Sequence, residues 1–430
     1  MSLLKTSTFA RGVHVPDMKH LSKDKPIETM PAPERVYLSL SQHIGKPATP
    51  VVAVGDSVEK GQMIAEASGF ISAPVFSSVS GVVEDIKPIV THAGKADHII
   101  IKNDFEEREN RLAAIDKSDP KAIAERVKEA GIVGLGGAGF PAFVKLTPKE
   151  PVDILLINGA ECEPYLTCDY RIMLEYTDAL VEGARFAALA LNNAKIFIGI
   201  EDNKPDAIEI LSKYEDVNVV PLKKKYPQGS EKQLIFACTG RKVGLGKIPS
   251  SVGVCVMNVQ TVKAVYNAVE NNEPLFERVM TITGNGITEP KNLLVRNGTP
   301  YAEIVEYCGG LNKNARKIVA GGPMMGKALS SLNSYSKKAD SGILVLADGD
   351  ANELAPSPCI NCGRCARACP MHLMPMYIDL YTHTNDYKKA DEYGASSCFE
   401  CGTCAYVCPA KRDLVGSVQL CKKKLREMKG

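Results

Sequence analysis

Apolar and polar positions change period along the central part of the chain. Four apolar runs have the length of strands, and stretches with a helical period lie between them. The runs are residues 152–158, 195–200, 217–222 and 253–259. Alternation of strand and helix over residues 130–270 predicts a parallel sheet with helices on its faces. The first strand ends at Asn158, at the edge where open α/β sheets bind ligands.

Short β-segments broken by glycine and proline fill residues 35–102 ahead of this region. Two pieces, 54–66 and 71–86, resemble the flattened barrel of biotinyl and lipoyl carriers. Such carriers present a lysine on the hairpin tip between these pieces, whereas residues 67–70 here read Ala-Ser-Gly-Phe. The sequence therefore favours a structural or docking module over a swinging-arm carrier.

The remaining regions have their own patterns. Four prolines among charged residues predict an extended N-terminal arm. Strands near 278–283, 292–296 and 318–320 around a helix at 301–308 predict a small α+β module of β-grasp type. A helical stretch at 374–393 predicts a mostly α-helical C-terminal domain. The predicted division is an arm at 1–33, a barrel-sandwich hybrid domain at 34–105, an α/β domain at 115–272, a β-grasp domain at 275–347 and a helical domain at 355–430.

Two cysteine runs near the C-terminus carry the most specific chemical signal. Each has the form C-x2-C-x2-C-x3-C-P. Three thiolates at this spacing bind one [4Fe–4S] cube, and the fourth, before proline, binds the other. Two zinc ribbons are the alternative, but zinc does not need the third cysteine or the proline. The predicted ligands are Cys359, Cys362, Cys365 and Cys408 for one cube, and Cys398, Cys401, Cys404 and Cys369 for the other.

A glycine-rich stretch at 131–141 is the second chemical signal, with five glycines in its first nine residues. It matches G-x-G-x-x-G, but the dinucleotide fingerprint requires a preceding strand. Here a helical pattern at 119–130 precedes it, so a conventional Rossmann interpretation fails. Glycines still let a backbone approach a ligand closely and present N–H groups to an anion. A tight structural turn is the alternative.

Composition narrows the function classes. The 430 residues contain 52 Lys and Arg against 50 Asp and Glu, a balance that argues against a general nucleic-acid binder. Fourteen cysteines without an apolar N-terminal leader suggest a reducing compartment. No apolar run approaches the roughly 20 residues that span a bilayer, so a membrane role would require a partner.

Several segments together resemble a known family. Residues 134–141 with Lys145, 158–164, 229–231 and 258–261 resemble the flavin site of the NADH-oxidising subunit of respiratory complex I. Further segments, at 8–16 and 41–45, closely resemble the RnfC family of Rnf complex subunits, as do the barrel without its lysine and the two cysteine runs. Family members belong to a membrane-bound ferredoxin:NAD+ oxidoreductase that pumps Na+ or H+. The likeness covers essentially the whole chain.

The resemblance implies an oxidoreductase subunit with FMN, NAD(H) and two [4Fe–4S] clusters. It also implies membrane subunits and an iron–sulfur subunit as partners, and a peripheral position on the cytoplasmic face of the cell membrane. Hydride carries two electrons, whereas a cube transfers one at a time, and a flavin converts between the two. No catalytic nucleophile or general base is required. A cobalamin reductase of a microcompartment and a non-catalytic electron-transfer subunit are the alternatives.

The resemblance also assigns roles within the flavin site. The glycines would approach the FMN phosphate and ring, Lys145 would neutralise phosphate charge, and Asn158 would bind the ring. The two glutamates would accept hydrogen bonds from NADH, unless they are merely exposed loop carboxylates. Ala160 and Ser230 depart from the complex I pattern. The implied cofactor-binding residues are Gly134, Gly136, Gly137, Gly139, Lys145, Asn158, Glu161, Glu163, Asn258 and Thr261.

Overall fold

The structure is a computed structural model that describes residues 6–351 and 355–428. Residues 1–5 of the predicted arm and 429–430 of the predicted cluster domain lie outside the described residues. Residues 352–354, between the predicted β-grasp and cluster domains, also lie outside them. Among the helices that are described, none combines the length and apolar character needed to cross a membrane.

The N-terminal arm contributes one strand, and the next domain is built from seven. The strands are β1 (Ile27–Thr29), β2 (Arg35–Ser39), β3 (Thr49–Pro50), β4 (Ser57–Val58), β5 (Met63–Glu66), β6 (Val75–Phe76), β7 (Gly81–Thr91) and β8 (Gly94–Asn103). Sheets β2-β8-β7-β4 and β3-β5-β6 form the two layers of the barrel-sandwich hybrid. Their inward side chains, such as Val36, Ile64 and Ile99, form one apolar core, so this domain agrees with the sequence expectation.

The α/β domain follows. Its elements are α1 (Pro120–Glu129), α2 (Ala142–Leu146), β9 (Ile154–Gly159), α3 (Cys168–Glu175), α4 (Thr177–Ala190), β10 (Lys195–Glu201), α5 (Pro205–Leu211), β11 (Val217–Leu222), α6 (Glu231–Thr239), β12 (Val254–Asn258) and α7 (Val259–Glu270). The four strands are parallel, in the order β11-β10-β9-β12. Central strand β9 is buried on both faces, as parallel strands between helix layers usually are. The predicted parallel sheet is confirmed.

A six-stranded sheet forms the core of the β-grasp domain. Its elements are β13 (Glu277–Thr283), β14 (Lys291–Arg296), α8 (Tyr301–Tyr307), β15 (Ala315–Ala320), β16 (Lys327–Leu329) and β17 (Gly342–Ala347). The strand order is β1-β14-β13-β17-β15-β16. The sequence interpretation missed β16 and β17. It also missed that arm strand β1 pairs with β14, a contact between residues more than 260 positions apart.

The C-terminal domain is helical, as predicted. Its helices are α9 (Arg364–Ala368), α10 (Pro375–His383), α11 (Tyr387–Glu392), α12 (Thr403–Tyr406) and α13 (Leu414–Glu427). The stretch expected as one helix between the cysteine runs is two helices. The chain turns between them at Asn385, whose φ of 60° is left-handed, a conformation that interrupts a right-handed helix.

Candidate flavin and iron–sulfur site

The carboxyl ends of β9 and β12 place two asparagines side by side. Asn158 and Asn258 are register partners at the last positions of the pairing. Asn158 Nδ2 donates to the Gly229 carbonyl oxygen at 2.8 Å, and its Oδ1 accepts from the Ala160 amide at 3.2 Å. Asn258 Oδ1 caps α7 by accepting from the Gln260 amide at 2.9 Å. The predicted ligand-binding edge is therefore polar and held by side chains.

The glycine loop, residues 134–140 between α1 and α2, lies over this edge. The Gly134 amide donates to the Phe140 carbonyl at 2.8 Å and closes the loop. The Leu135 amide donates to Thr261 Oγ1 at 2.9 Å, so the first turn of α7 anchors it. A Cβ on Gly136 would lie 2.7 Å from Asn258 Nδ2. The structure thus brings the predicted loop, Asn258 and Thr261 together.

The glycines of this loop differ in backbone conformation and in the space around them. Gly139 has a left-handed φ of 70°, and Gly136 leaves no room for a side chain beside Asn258. Gly137 is exposed, its φ is not left-handed, and a Cβ there would meet no atom of the residues that the structure describes within 4 Å. A structural turn explains Gly139 but not Gly137. The open surface beside Gly137 leaves room for a flat ligand such as a flavin ring, and that contact stays a prediction.

Glu161 occupies a buried network below the loop. Its Oε1 accepts from the Asp169 amide at 2.7 Å, and Asp169 accepts from Asn258 Nδ2 at 2.6 Å. Its Oε2 is buried 3.5 Å from Lys19 Nζ and has no hydrogen-bond partner among the described residues. Burial raises the pKa of Glu161 to about 7, against the opposing effect of Lys19. This placement weighs against direct contact with NADH, and that role stays a prediction.

Glu163 points to the neighbouring β-grasp domain. Its Oε1 accepts from the Met324 amide at 2.6 Å and the Met325 amide at 3.1 Å. The contact is so close that a Cβ on Gly322 would collide with its side chain. Burial raises the pKa of Glu163, whereas these two amides lower it. Glu163 therefore joins two domains, and any hydrogen bond to NADH would be additional.

Lys145 extends from α2 towards the end of β12. Its Nζ donates to Glu231 Oε1 at 3.0 Å and to the Val256 carbonyl at 2.9 Å. The Lys145 side chain is 30% exposed, so an anionic ligand can reach it. Its predicted phosphate contact would compete with Glu231.

Cys162 and Cys168, on either side of Glu163, have separate hydrogen-bond partners. The Cys162 sulfur accepts from the Gly229 amide at 3.2 Å, and the Cys168 thiol donates to the Ser341 carbonyl at 3.4 Å. Burial raises the pKa of both thiols. Ligand atoms of Glu161, Cys168 and Asp169 lie within 4.8 Å of one another, but Lys19 supplies positive charge beside them. These contacts favour two protonated thiols.

The second cysteine run forms a cavity together with the last cysteine of the first run. Its lining includes Cys369, Cys398, Cys401 and Cys404, with Leu373 and Val418 as apolar walls. This is the set that crossed ligation predicts for one cube, and thiolates are the donors that iron in such a cube requires. Burial raises the pKa of Cys398 to about 11, so iron would have to displace the proton.

The other predicted ligands lie nearer the surface. Cys359 is exposed, Cys362 and Cys408 are half-buried, and Cys365 is buried. Arg412 carries positive charge close to Cys359 and Cys408 and is paired with Asp379. The structure thus supports two thiol groups with different exposure, while the crossed pairing itself stays a prediction.

Several residues that hold the site were not among the predicted site residues. Lys19 donates to the carbonyls of Glu163 and Leu166 from the arm, and Gln260 Nε2 donates to Asp169 Oδ1. Tyr226 joins the α/β domain to the cluster domain. Gln260 lies within the segment 258–261 that resembles the complex I flavin site, but Lys19 and Tyr226 belong to no motif, and only their contacts in the fold reveal them.

A glycine loop over a parallel sheet, joined to two groups of four cysteines, defines a flavin and iron–sulfur electron-transfer protein. Family models match in the same order along the chain. They are the RnfC barrel sandwich hybrid domain at residues 7–106, the Nuo51 FMN-binding domain at 127–267, the SLBB domain at 279–328 and the 4Fe-4S dicluster domain at 358–411.

Similar proteins identify the family. The chain is 46% identical to the C subunit of the proton-translocating ferredoxin:NAD+ oxidoreductase complex of Clostridium ljungdahlii, over 90% of this chain and 86% of the relative. It is 41% identical to the Na+-translocating counterpart of Acetobacterium woodii, over 98% of each. Identity to the C subunit of the ion-translocating oxidoreductase complex of Rhodobacter capsulatus is 41%, over 99% and 84%. The chain belongs to this RnfC family, as the sequence resemblance indicated.

A solved structure shares the fold at lower identity. It is the crystal structure of an NAD+-reducing [NiFe]-hydrogenase in the H2-reduced state, with a TM-score of 0.50 and 17% identity. The match covers 73% of this chain and 62% of the hydrogenase chain. At this identity the likeness concerns the fold alone.

Proposed function

We propose that this chain is the NADH-handling subunit of a membrane-bound ferredoxin:NAD+ oxidoreductase complex that translocates Na+ or H+ through its partner subunits. One observation carries the proposal: a single chain joins an open glycine loop at a sheet edge to two groups of cube-forming cysteines. Membership of the RnfC family supports it. We further propose a peripheral position on the cytoplasmic face, in contact with membrane subunits and an iron–sulfur subunit.

Each group of residues has a defined task in this proposal. Gly137 leaves the space for the flavin ring, while Asn158 and Asn258 supply amides at the sheet edge. Lys145 faces the phosphate, and Glu163 orients NADH. The cysteine thiolates hold iron. Bound FMN supplies the conversion between hydride transfer and single-electron transfer. No side chain needs to form a covalent bond.

The test is the substitution Gly137→Val in protein reconstituted anaerobically with iron, sulfide and FMN. A Cβ on Gly137 would project into the open space proposed for the flavin. The valine side chain should therefore abolish FMN binding and NADH oxidation. Iron should stay at about eight atoms per chain, as two cubes require. The measurements are flavin and iron content, and NADH-dependent reduction of an artificial one-electron acceptor.

The matched control is Gly244→Val, at an exposed glycine in the loop between α6 and β12, where the nearest atom to a Cβ would be 3.5 Å away. It should keep both flavin and rate. Full flavin and full rate in Gly137→Val would reduce the glycine loop to a turn and favour the non-catalytic alternative.

A further inference from the structure

The two cysteine groups differ in how they meet the rest of the molecule. Tyr226, in the loop before α6, donates its hydroxyl proton to the Cys401 carbonyl at 2.7 Å. Gln233 of α6 donates Nε2 to the Pro370 carbonyl at 3.2 Å. Cys401 and Cys369, the residue before Pro370, both line the cavity of the second cysteine run. The α/β domain therefore contacts the backbone that carries this set of four cysteines.

Tyr226 is rigidly held at this contact. It is 1% exposed and packs in one apolar cluster with Val13, Cys162 and Cys401. Its backbone exchanges two hydrogen bonds of 2.9 Å with Val13 of the arm. The arm then reaches the cluster domain, where the Gly12 amide donates to the Ala368 carbonyl at 3.0 Å. The hydroxyl therefore has a fixed place between the two domains.

A second connection leads from the sheet edge to the same cysteines. Glu163 binds the Met324 and Met325 amides, and the Met324 carbonyl lies against Gly402, where a Cβ would collide with it. This connection runs from the acidic loop, residues 160–164 after β9, to Gly402, the residue next to Cys401.

The other set reaches the surface through one exposed member, Cys359. Residues 355–361 are all exposed, and Cys359 lies among them. By contrast, Cys369 and Cys401 of the second set are buried, and Cys398 and Cys404 are half-buried. A one-electron partner can approach Cys359 directly, whereas the second set is covered by the α/β and β-grasp domains.

We propose that the cube bound by Cys398, Cys401, Cys404 and Cys369 is the inner cube, which exchanges electrons with the flavin site. In this proposal Tyr226 is the positioning residue that holds it there. The cube that includes Cys359 is the outer cube, which exchanges electrons with the partner. This order rests on the proposed function and on crossed ligation. With FMN and both cubes bound, a hydride from NADH would supply two electrons and one proton. The electrons would cross singly, inner cube first, to two equivalents of a one-electron acceptor, and the proton would pass to solvent.

The first test is Tyr226→Phe, which removes only the hydroxyl. Anaerobic redox titration followed by EPR needs neither flavin nor NADH. We expect a shifted midpoint potential for one cube and an unchanged one for the other, with iron content unchanged. The matched control is Tyr214→Phe, whose hydroxyl bonds Asp178 away from this contact. Unshifted potentials in Tyr226→Phe, or a shift in the outer cube instead, would overturn the role of Tyr226.

The second test fixes the order of the cubes by removing one at a time. Cys398→Ala removes an inner ligand and Cys359→Ala an outer one. The bound flavin is reduced by light and EDTA, and the surviving cube is followed by freeze-quench EPR. In Cys359→Ala we expect the inner cube to be reduced as fast as in wild type. In Cys398→Ala we expect loss of fast reduction. The reverse pattern, or equal rates in both variants, would overturn the order.

Light-driven reduction keeps this inference separate from the proposed function. If NADH fails to bleach the flavin of the wild-type protein while light-driven electrons still reach the cubes in the expected order, the NADH function fails and the order stands. If loss of one cube unfolds the cluster domain, the iron content of that cysteine variant falls to near zero. The Tyr226→Phe variant keeps both cubes, so its midpoint potentials then decide which cube Tyr226 contacts.

Discussion

At the scale of single residues, the site separates side chains that face a ligand from side chains that hold the site together. Gly137 and Lys145 keep exposed surface near the sheet edge. Glu161 does not, because its carboxylate is buried between Asp169 and Lys19. A charged residue of a motif can therefore either face a ligand or hold the site together, and its burial distinguishes the two roles.

Glu161 should make stability depend on pH. Its pKa rises from an ordinary 4.5 to about 7 on folding because burial disfavours the charged form. The folded protein then binds more protons than the unfolded chain between these values, so stability falls as pH rises from about 5 to 8. Glu161→Gln should remove this dependence. Its free energy of unfolding, relative to that of the wild-type protein, should therefore be roughly 2–3 kcal/mol higher at pH 8 than at pH 5. Thermal unfolding midpoints across this range measure it, and parallel curves for both proteins would contradict it.

Glu163→Gln tests the predicted contact with NADH. Glutamine keeps an oxygen for the Met324 and Met325 amides, so the domain contact should survive and FMN should stay bound. Loss of one charge-assisted hydrogen bond costs roughly 1.5–3 kcal/mol, so the apparent NADH affinity should fall about tenfold to a hundredfold. Steady-state kinetics with NADH measure this effect.

The control for this substitution is Glu209→Gln, on the exposed side of α5. It should leave the affinity for NADH unchanged. If Glu163→Gln behaves in the same way, the carboxylate serves only the contact between domains.

At the scale of elements, the N-terminal arm is more than an extended leader. It adds β1 to the β-grasp sheet, places Lys19 at the acidic loop and pairs Val13 with Tyr226. The sequence predicted an extended arm from its prolines and charges. Its partners lie 140 to 360 positions away along the chain, so local pattern could not reveal them.

Gly12→Val tests the arm. Gly12 has a left-handed φ of 75°, and a Cβ would meet the Tyr226 carbonyl and the Phe9 ring. Such backbone strain costs on the order of 1–3 kcal/mol. We expect faster limited proteolysis of the arm and slower reduction of the cubes by NADH, with FMN still bound. Gly69→Val is the control, because that glycine has open space and no left-handed φ. If Gly12→Val leaves both the proteolysis of the arm and the rate of cube reduction by NADH unchanged, the arm plays no part in holding the cluster domain against the α/β domain.

At the scale of the whole molecule, the two cysteine runs must fold back on each other for crossed ligation. Cys369→Ser should therefore damage the cube of the second run, and Cys408→Ser that of the first. Iron should fall from about eight to about four atoms per chain in each variant, and EPR should show which cube remains. Cys238→Ser, at a half-buried thiol in α6, should lose no iron. If each substitution disturbs the cube of its own run instead, ligation is not crossed.

Local spacing determined much of this protein. The cysteine runs specify cubes because thiolate spacing must match iron positions, and the alternation of apolar runs and helical stretches specifies a parallel sheet. The glycine loop, Asn158 and Asn258 were also visible, since each follows or precedes a predicted element. Strands β16 and β17 were not predicted from the sequence, because their β-grasp sheet is assembled from distant segments, including the arm.

Only the tertiary structure decided which residues of the site are buried and which domains they contact. Sequence could not tell that Glu161 is buried or that Glu163 binds Met324, because burial depends on what packs above a loop. Nor could it tell that the hydroxyl of Tyr226 reaches Cys401, 175 residues away. Spacing along the chain fixes which atoms can bind a cofactor. Contacts between domains decide which cofactor faces which, because they depend on surfaces that form only when every domain has folded.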